Sequence, residues 1–259
     1  SKTGEPPKLR CANGRNCGSV LMSDRAAAIV VGAGDALGGA IAKRFARGGL
    51  VAVPSRRKMK PLKELVSQIK ADGGDARGIP CDARDEEAVI EMFDRVEKEV
   101  GSVEVVVFNC GAQHRCSILN MTARVYRQVW ESATFAGFIA GREAARRMVA
   151  QGRGTILFTG ATASVRGGAN FASFASAKHA LRALAQSMAR ELGPKGIHVG
   201  HIIVDGMIDS EAVRMKFPEE TSVLPEGGML DPNNIAEAYW AMHVQPQDAW
   251  TFEIDIRPS

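Results

Sequence analysis

The chain has 259 residues, of which 45% are apolar and only 6% aromatic. That composition supports a sizeable core packed mainly from Ala, Val, Ile and Gly, and the length suits one α/β sheet with helices on both faces. The 33 basic and 29 acidic residues leave a net charge of +4. No basic stripe is interleaved with aromatics and no apolar run reaches the roughly 20 residues that span a bilayer, so neither nucleic acid nor membrane is expected as a partner.

Residues 1–24 stand apart. They carry Pro6, Pro7 and three glycines among several Lys and Arg, with little hydrophobic pattern. This stretch reads as a flexible N-terminal segment, an expression remnant or part of an organelle-targeting segment. From Ala26 strand and helix alternate. Ala26–Val31 is an apolar run of the kind buried on both faces. Ala36–Gly48 reads as a helix with Leu37, Ile41, Ala42 and Phe45 on one face. Leu50–Pro54 is a second strand, Pro61–Ala71 a helix ended by Gly73 and Gly74, and Ala76–Pro80 a strand.

Glu86–Val100 follows as a helix, Val103–Asn109 as a β-branched strand and Ala123–Ala150 as one long helix. Thr155–Thr159 is the fifth strand, Phe171–Leu192 a helix stopped by Gly193 and Pro194, and Ile197–Val204 the sixth strand. Asp231 and Pro232 cap a helix over Asn234–Met242, and Thr251–Ile256 is the last strand. Seven strands separated by six helical segments imply a Rossmann-type, doubly wound parallel α/β sheet with helices on both faces. Residues 25–259 therefore form a single dinucleotide-binding domain, with 205–230 as its lid or specificity loop.

The five cysteines, Cys11, Cys17, Cys81, Cys110 and Cys116, are odd in number and irregular in spacing. They offer no paired CxxC for zinc, so no metal is expected, and a reducing compartment follows. That means the cytoplasm, or an organelle matrix if the N-terminal segment is a targeting remnant.

The first strand runs into Gly32-Ala33-Gly34-Asp35-Ala36-Leu37-Gly38. A glycine-rich turn between strand and helix lets backbone N–H groups and a helix N-terminus meet a pyrophosphate, so Gly32, Gly34, Asp35, Ala36, Leu37 and Gly38 are cofactor-binding candidates. The second strand ends in Ser55-Arg56-Arg57. Arginines there accommodate the 2′-phosphate of NADP, whereas a carboxylate would hold the ribose hydroxyl of NAD. NADP(H) is thus preferred over NAD(H), with Asp35 arguing the other way.

From Ala26 to Pro258 the chain resembles the short-chain dehydrogenase/reductase family. The resemblance implies that Asp82 contacts the adenine ring and that Asn109-Cys110-Gly111-Ala112 lines the cofactor, making Asn109 and Gly111 site residues. It likewise implies that the segment 205–210, with Ile208 and Ser210, receives the nicotinamide carboxamide. One departure is Ala36, where the family has its middle glycine, and its methyl is expected to crowd the pyrophosphate. Trp130–Gly137, Thr155–Ser164 and Ala249–Pro258 resemble a largely bacterial subgroup without an assigned substrate. Dimers or tetramers built through the two long helices are a further implication of the family.

The family's proton relay uses a tyrosine, a lysine four residues later, a serine thirteen residues before the tyrosine and an asparagine on the long helix. The lysine is Lys178. The other three positions fall on Phe174, Ala161 and Thr134, none of which matches. Residues i and i+4 share a helix face, so Phe174 and Lys178 are expected side by side. Three readings stay open: an NAD(P)-dependent oxidoreductase with a rerouted relay, an NADP-binding sensor without turnover, and a structural or assembly subunit that keeps the fold. In the first, Thr162 and Ser164, in the loop after the fifth strand, join Lys178 as catalytic candidates, and the substrate is an unknown carbonyl or alcohol. Met207, Met215, Phe217 and Met229 would line an apolar substrate pocket.

Overall fold

The computed structural model describes residues 25–111 and 113–258; the expected N-terminal segment lies outside the described residues. The strands are β1 (Ala26–Val31), β2 (Val51–Arg56), β3 (Asp75–Ala76), β4 (Ile79–Pro80), β5 (Ser102–Phe108), β6 (Gly154–Ala161), β7 (Ile197–Val204) and β8 (Glu253–Ile256). Every pairing is parallel and the order is β3-β2-β1-β5-β6-β7-β8, with β4 also on β2. Among the described residues the sheet thus has eight strands rather than seven. The third expected strand is split at Arg77 and Gly78 into two pieces that pair with the two ends of β2.

The apolar strands alternate between two cores. Ile29, Phe108 and Phe158 face α3 (Glu86–Glu99), α5 (Ala136–Gln151) and α6 (Ala172–Leu192). Ala28, Val105 and Leu157 face α1 (Leu37–Arg47), α2 (Met59–Ala71) and α9 (Pro232–His243). Both strand faces are buried, which is why the strands read as continuous apolar runs. The caps are local: the Asp85 carboxylate accepts the Ala88 N–H at 3.2 Å, and the Asp231 carboxylate accepts the Asn233 N–H at 2.7 Å.

The expected long helix 123–150 is interrupted. α4 (Ala123–Trp130) runs into a wide π turn over Glu131–Phe135 before α5 begins. The turn buries Ala133 and Thr134, and the Thr134 hydroxyl donates to the Ala177 carbonyl of α6 at 2.7 Å. The 205–230 loop folds into two short helices, α7 (Glu211–Lys216) and α8 (Pro218–Ser222). Lys216 Nζ lies 3.5 Å from the Gln113 carbonyl and Arg115 pairs with Glu220 at 3.4 Å, so this segment rests on the loop after β5.

Candidate functional site

The strand order reverses between β1 and β5, the place where doubly wound sheets bind ligands beyond the carboxyl ends of their strands. A cleft of about 1460 Å³ opens there. It is lined by Gly32, Gly34, Asp35, Ala36, Leu37, Gly38, Asn109, Gly111, Lys178, Ile208 and Ser210. An adjoining cavity of about 580 Å³ is lined by Arg56, Arg57, Asp82 and Arg84 together with Gly32, Asn109 and Gly111. The fold thus gathers all the expected cofactor residues around one continuous surface.

The turn after β1 is shaped by backbone contacts. Gly32 has φ +86°, and a Cβ there would stand 2.9 Å from the Asn109 carbonyl carbon and the Cys110 nitrogen. Gly38 packs so close to Gly32 O that a Cβ would collide with it. Ala36, by contrast, has φ −104° and caps α1 with no side-chain hydrogen bond. Its negative φ does not require glycine, and its side chain lines the cleft, where the methyl would meet a pyrophosphate. Among the described residues no acceptor takes the N–H of Leu37 or Gly38. Free donors at a helix N-terminus beside an open cleft fit a pyrophosphate.

The floor of the cleft is a chain of polar groups. Asn109 Nδ2 donates to the Gly32 carbonyl at 3.1 Å, and the Thr159 hydroxyl donates to Asn109 Oδ1 at 3.0 Å. The Tyr239 hydroxyl lies 2.7 Å from Thr159 Oγ1. Thr159 already gives its proton to Asn109, so Tyr239 is the donor in that contact. This chain links the ends of β1 and β5 to β6 and α9, and it is not legible in the sequence because Thr159 and Tyr239 lie 80 residues apart.

Lys178 is 3% exposed and its Nζ donates to the Thr159 carbonyl at 2.8 Å, with the Cys110 carbonyl at 3.4 Å. Burial lowers its pKa from 10.5 to about 8. Phe174 lines the same cleft, with Lys178 Nζ 5.9 Å from its ring centroid, as the helical spacing predicts. Ala161 and Thr162 line it too, and the Thr162 hydroxyl donates to the Asp205 carboxylate. Thr134 does not line the cleft. Ser164 requires a correction as a cleft residue: it is 0% exposed, and its hydroxyl oxygen lies beneath the strand end, accepting the Ala161 N–H at 3.1 Å. Of the expected pocket residues Met207, Met215, Phe217 and Met229, only Met215 lines the cleft; the other three are half-buried outside it.

Two ion pairs shape the adjoining cavity and its rim. Arg56 Nη1 lies 2.6 Å from the Asp35 carboxylate. The Asp82 carboxyl accepts from the Arg84 guanidinium at 2.6 and 2.9 Å, which holds it below the usual carboxylate range. Among the described residues no group of His, Cys, Asp or Glu could hold a metal ion, and no helix is long and apolar enough to cross a membrane.

The family model for short chain dehydrogenases matches residues 26–221. The chain belongs to the short-chain dehydrogenase family. The short-chain reductase protein NovJ of Streptomyces niveus is 30% identical over 200 residues, 76% of this chain and 76% of NovJ. A solved short-chain dehydrogenase from Rhodopseudomonas palustris is 46% identical, covers 90% of this chain and 99% of its own, and superposes with a TM-score of 0.78. An actinorhodin polyketide ketoreductase solved with NADPH shares the fold at a TM-score of 0.84 and 21% identity, over 91% of this chain and 97% of its own. The cleft of this short-chain dehydrogenase therefore keeps a lysine on α6 while presenting apolar side chains at Ala161 and Phe174.

Proposed function

We propose that the protein is an NAD(P)-dependent oxidoreductase that interconverts a carbonyl and an alcohol through a proton route that bypasses Phe174. The observation that carries this reading is Lys178, a buried ammonium fixed by two carbonyls at the cleft wall, opposite a glycine turn with free N–H groups. A bound nicotinamide would supply or take the hydride. The residues would do the rest. Leu37 and Gly38 N–H groups meet the pyrophosphate, Arg57 and Arg56 the 2′-phosphate, and Lys178 the nicotinamide ribose. The ketoreductase solved with NADPH supports the same cofactor choice, NADP(H) over NAD(H).

The proton is handled by Thr162. Its hydroxyl faces the cleft and is already directed at the Asp205 carboxylate. When an alcohol is oxidised, Thr162 accepts the substrate hydroxyl proton as its own passes to Asp205, and reduction runs the same steps backwards. A second reading, an NADP-binding sensor without turnover, is favoured by the absence of a hydroxyl on both Phe174 and Ala161. The protein assembles as a homodimer or homotetramer through α4, α5 and α6, where Trp130 and Phe138 lie exposed.

Titration of the protein with NADPH and NADH, followed by nicotinamide fluorescence, tests the cofactor reading. Micromolar NADPH affinity is expected, and no binding of either nucleotide at millimolar concentration overturns it. A carbonyl and alcohol screen on wild type and Thr162→Val then separates enzyme from sensor. Turnover that falls about 100-fold in the variant supports the Thr162 route.

A further inference from the structure

A half-buried ion pair and a fully buried histidine lie behind the cleft, on the α6 side of β7 and β8. Arg182 of α6 donates twice to Glu253 of β8, from Nε to Oε2 at 2.6 Å and from Nη2 to Oε1 at 2.7 Å. The same Oε2 lies 2.8 Å from Nδ1 of His201 on β7. The paired guanidinium holds the Glu253 carboxyl below its ordinary range, so the carboxylate is ionised and Nδ1 is the nitrogen that carries the proton. Burial pushes the His201 ring down to about 4, and Lys178 and Arg182 of α6 push the same way against Glu253. The ring is therefore neutral at physiological pH, with a lone pair on Nε2.

That lone pair has no partner among the described residues, although the ring is 0% exposed. The Ser164 hydroxyl converges on the same place. An ideal Cβ at Gly160 would collide with Nε2 and Cε1 of His201 and stand 3.0 Å from Ser164 Oγ. Ser164 Oγ accepts the Ala161 N–H, and its own proton has no acceptor among the described residues. A bare acceptor and an uncommitted donor thus face each other across a strand position that only glycine leaves open.

We propose that Arg182, Glu253 and His201 form a positioning relay that ends on the Ser164 hydroxyl and fixes the turn carrying Ala161 and Thr162 into the nicotinamide half of the cleft. The proposal rests on the nucleotide-binding reading above. Arg182 fixes the carboxylate, the carboxylate fixes the imidazole tautomer, and this leaves Nε2 as the bare acceptor that the Ser164 hydroxyl faces while the serine oxygen accepts the Ala161 N–H. It is the arrangement by which outer residues orient groups that touch a ligand. His201 is a positioning residue, since it does not line the cleft.

Nitrogen-15 NMR of the histidine rings tests the relay without any ligand, with His201→Phe assigning the signal. The expected result is an Nδ1–H tautomer from about pH 6 to about pH 8, with an Nε2 resonance that shifts in Ser164→Ala. An Nε2–H tautomer, a ring titrating near its ordinary value of about 6.5, or an Nε2 signal indifferent to Ser164→Ala overturns the proposal. A second arm compares affinity for NADPH with affinity for adenosine 2′,5′-bisphosphate, which fills only the adenosine half. Ser164→Ala is expected to weaken NADPH about 10-fold and leave the bisphosphate within about twofold. Equal loss for both ligands, tracking a fall in melting temperature, reduces His201 to a folding role and overturns the proposal. If wild type binds neither ligand, the nucleotide reading fails, and the tautomer measurement still decides the relay.

Discussion

Arg56 and Asp35 face each other at 2.6 Å across the opening of the adenosine cavity, so the arginine best placed for a 2′-phosphate already holds a carboxylate. Asp35 is 83% exposed at its side chain, and its removal should cost the fold little. Arg57 lines the same cavity and has no carboxylate partner among the described residues. Asp35→Ala should therefore free Arg56 and raise the NADPH-to-NADH affinity ratio about 10-fold, while Arg57→Ala lowers it by a similar factor, each about 1.4 kcal/mol. Calorimetric titration of both variants with both nucleotides checks this. An unchanged ratio in the two variants would place the 2′-phosphate elsewhere.

Lys178 links pH to stability. Its folded pKa is lowered to about 8 by burial, whereas an unfolded lysine titrates at about 10.4. Between those values the unfolded chain holds a proton that the folded chain has released, so stability rises with pH. The contribution is fully present above the unfolded value and is lost as pH falls through about 8. Roughly two units of separation correspond to about 3 kcal/mol. Urea unfolding of wild type and Lys178→Met at about pH 8 and about pH 10 should show the wild type gaining about 2 kcal/mol more than the variant, the larger part of that contribution. The same substitution removes the ribose donor and should weaken NADPH by at least about 10-fold.

The hydrogen-bond chain beneath the cleft distinguishes two deletions. Tyr239→Phe removes one bond but leaves Thr159 donating to Asn109, and should cost about 1 kcal/mol. Thr159→Val strands both Asn109 Oδ1 and the buried Tyr239 hydroxyl, and should cost about 2–4 kcal/mol. It also loosens the Asn109 contact with the Gly32 carbonyl, so NADPH affinity should fall with stability in Thr159→Val and hold in Tyr239→Phe. Denaturation midpoints read beside nucleotide affinities settle the order.

The sequence carried most of the scaffold because its strands are buried on both faces. Ile197–Val204 and Ala26–Val31 appear as apolar runs with the same bounds as the observed strands. The breaks were less legible. The π turn at Glu131–Phe135 leaves the apolar period nearly intact and is fixed by the Thr134 bond to α6, a tertiary contact. The two pieces of the third strand depend on where β2 ends. At the site, the glycine turn could be placed because it follows a strand with a clear boundary, whereas Asn109 and Lys178 came from the resemblance to the family's motifs. Ser164 could not, since whether a turn residue points into the cleft or under the strand depends on His201 and Ala161. His201 and Glu253 offered one overlooked signal, a basic and an acidic side chain paired in register on neighbouring strands.

Phe174 is the most informative position for chemistry. Its ring lies beside Lys178, with Nζ 5.9 Å from the ring centroid, and Ala161 lines the same cleft. A hydroxyl on each would restore the proton donor and the group that holds the substrate oxygen, while the lysine that would depress the tyrosine pKa is already there. Proton transfer by a placed side chain contributes about 10²–10⁴-fold. Ala161→Ser with Phe174→Tyr should therefore raise carbonyl reduction by at least about 100-fold over wild type, with Phe174→Tyr alone giving part of the gain. If Thr162 is the working proton donor, Thr162→Val should lower activity about 100-fold in wild type and be tolerated in the double variant. Steady-state rates with NADPH across these five proteins test both statements. A double variant that binds NADPH as wild type does yet gains no rate would show that the substrate oxygen does not approach Phe174.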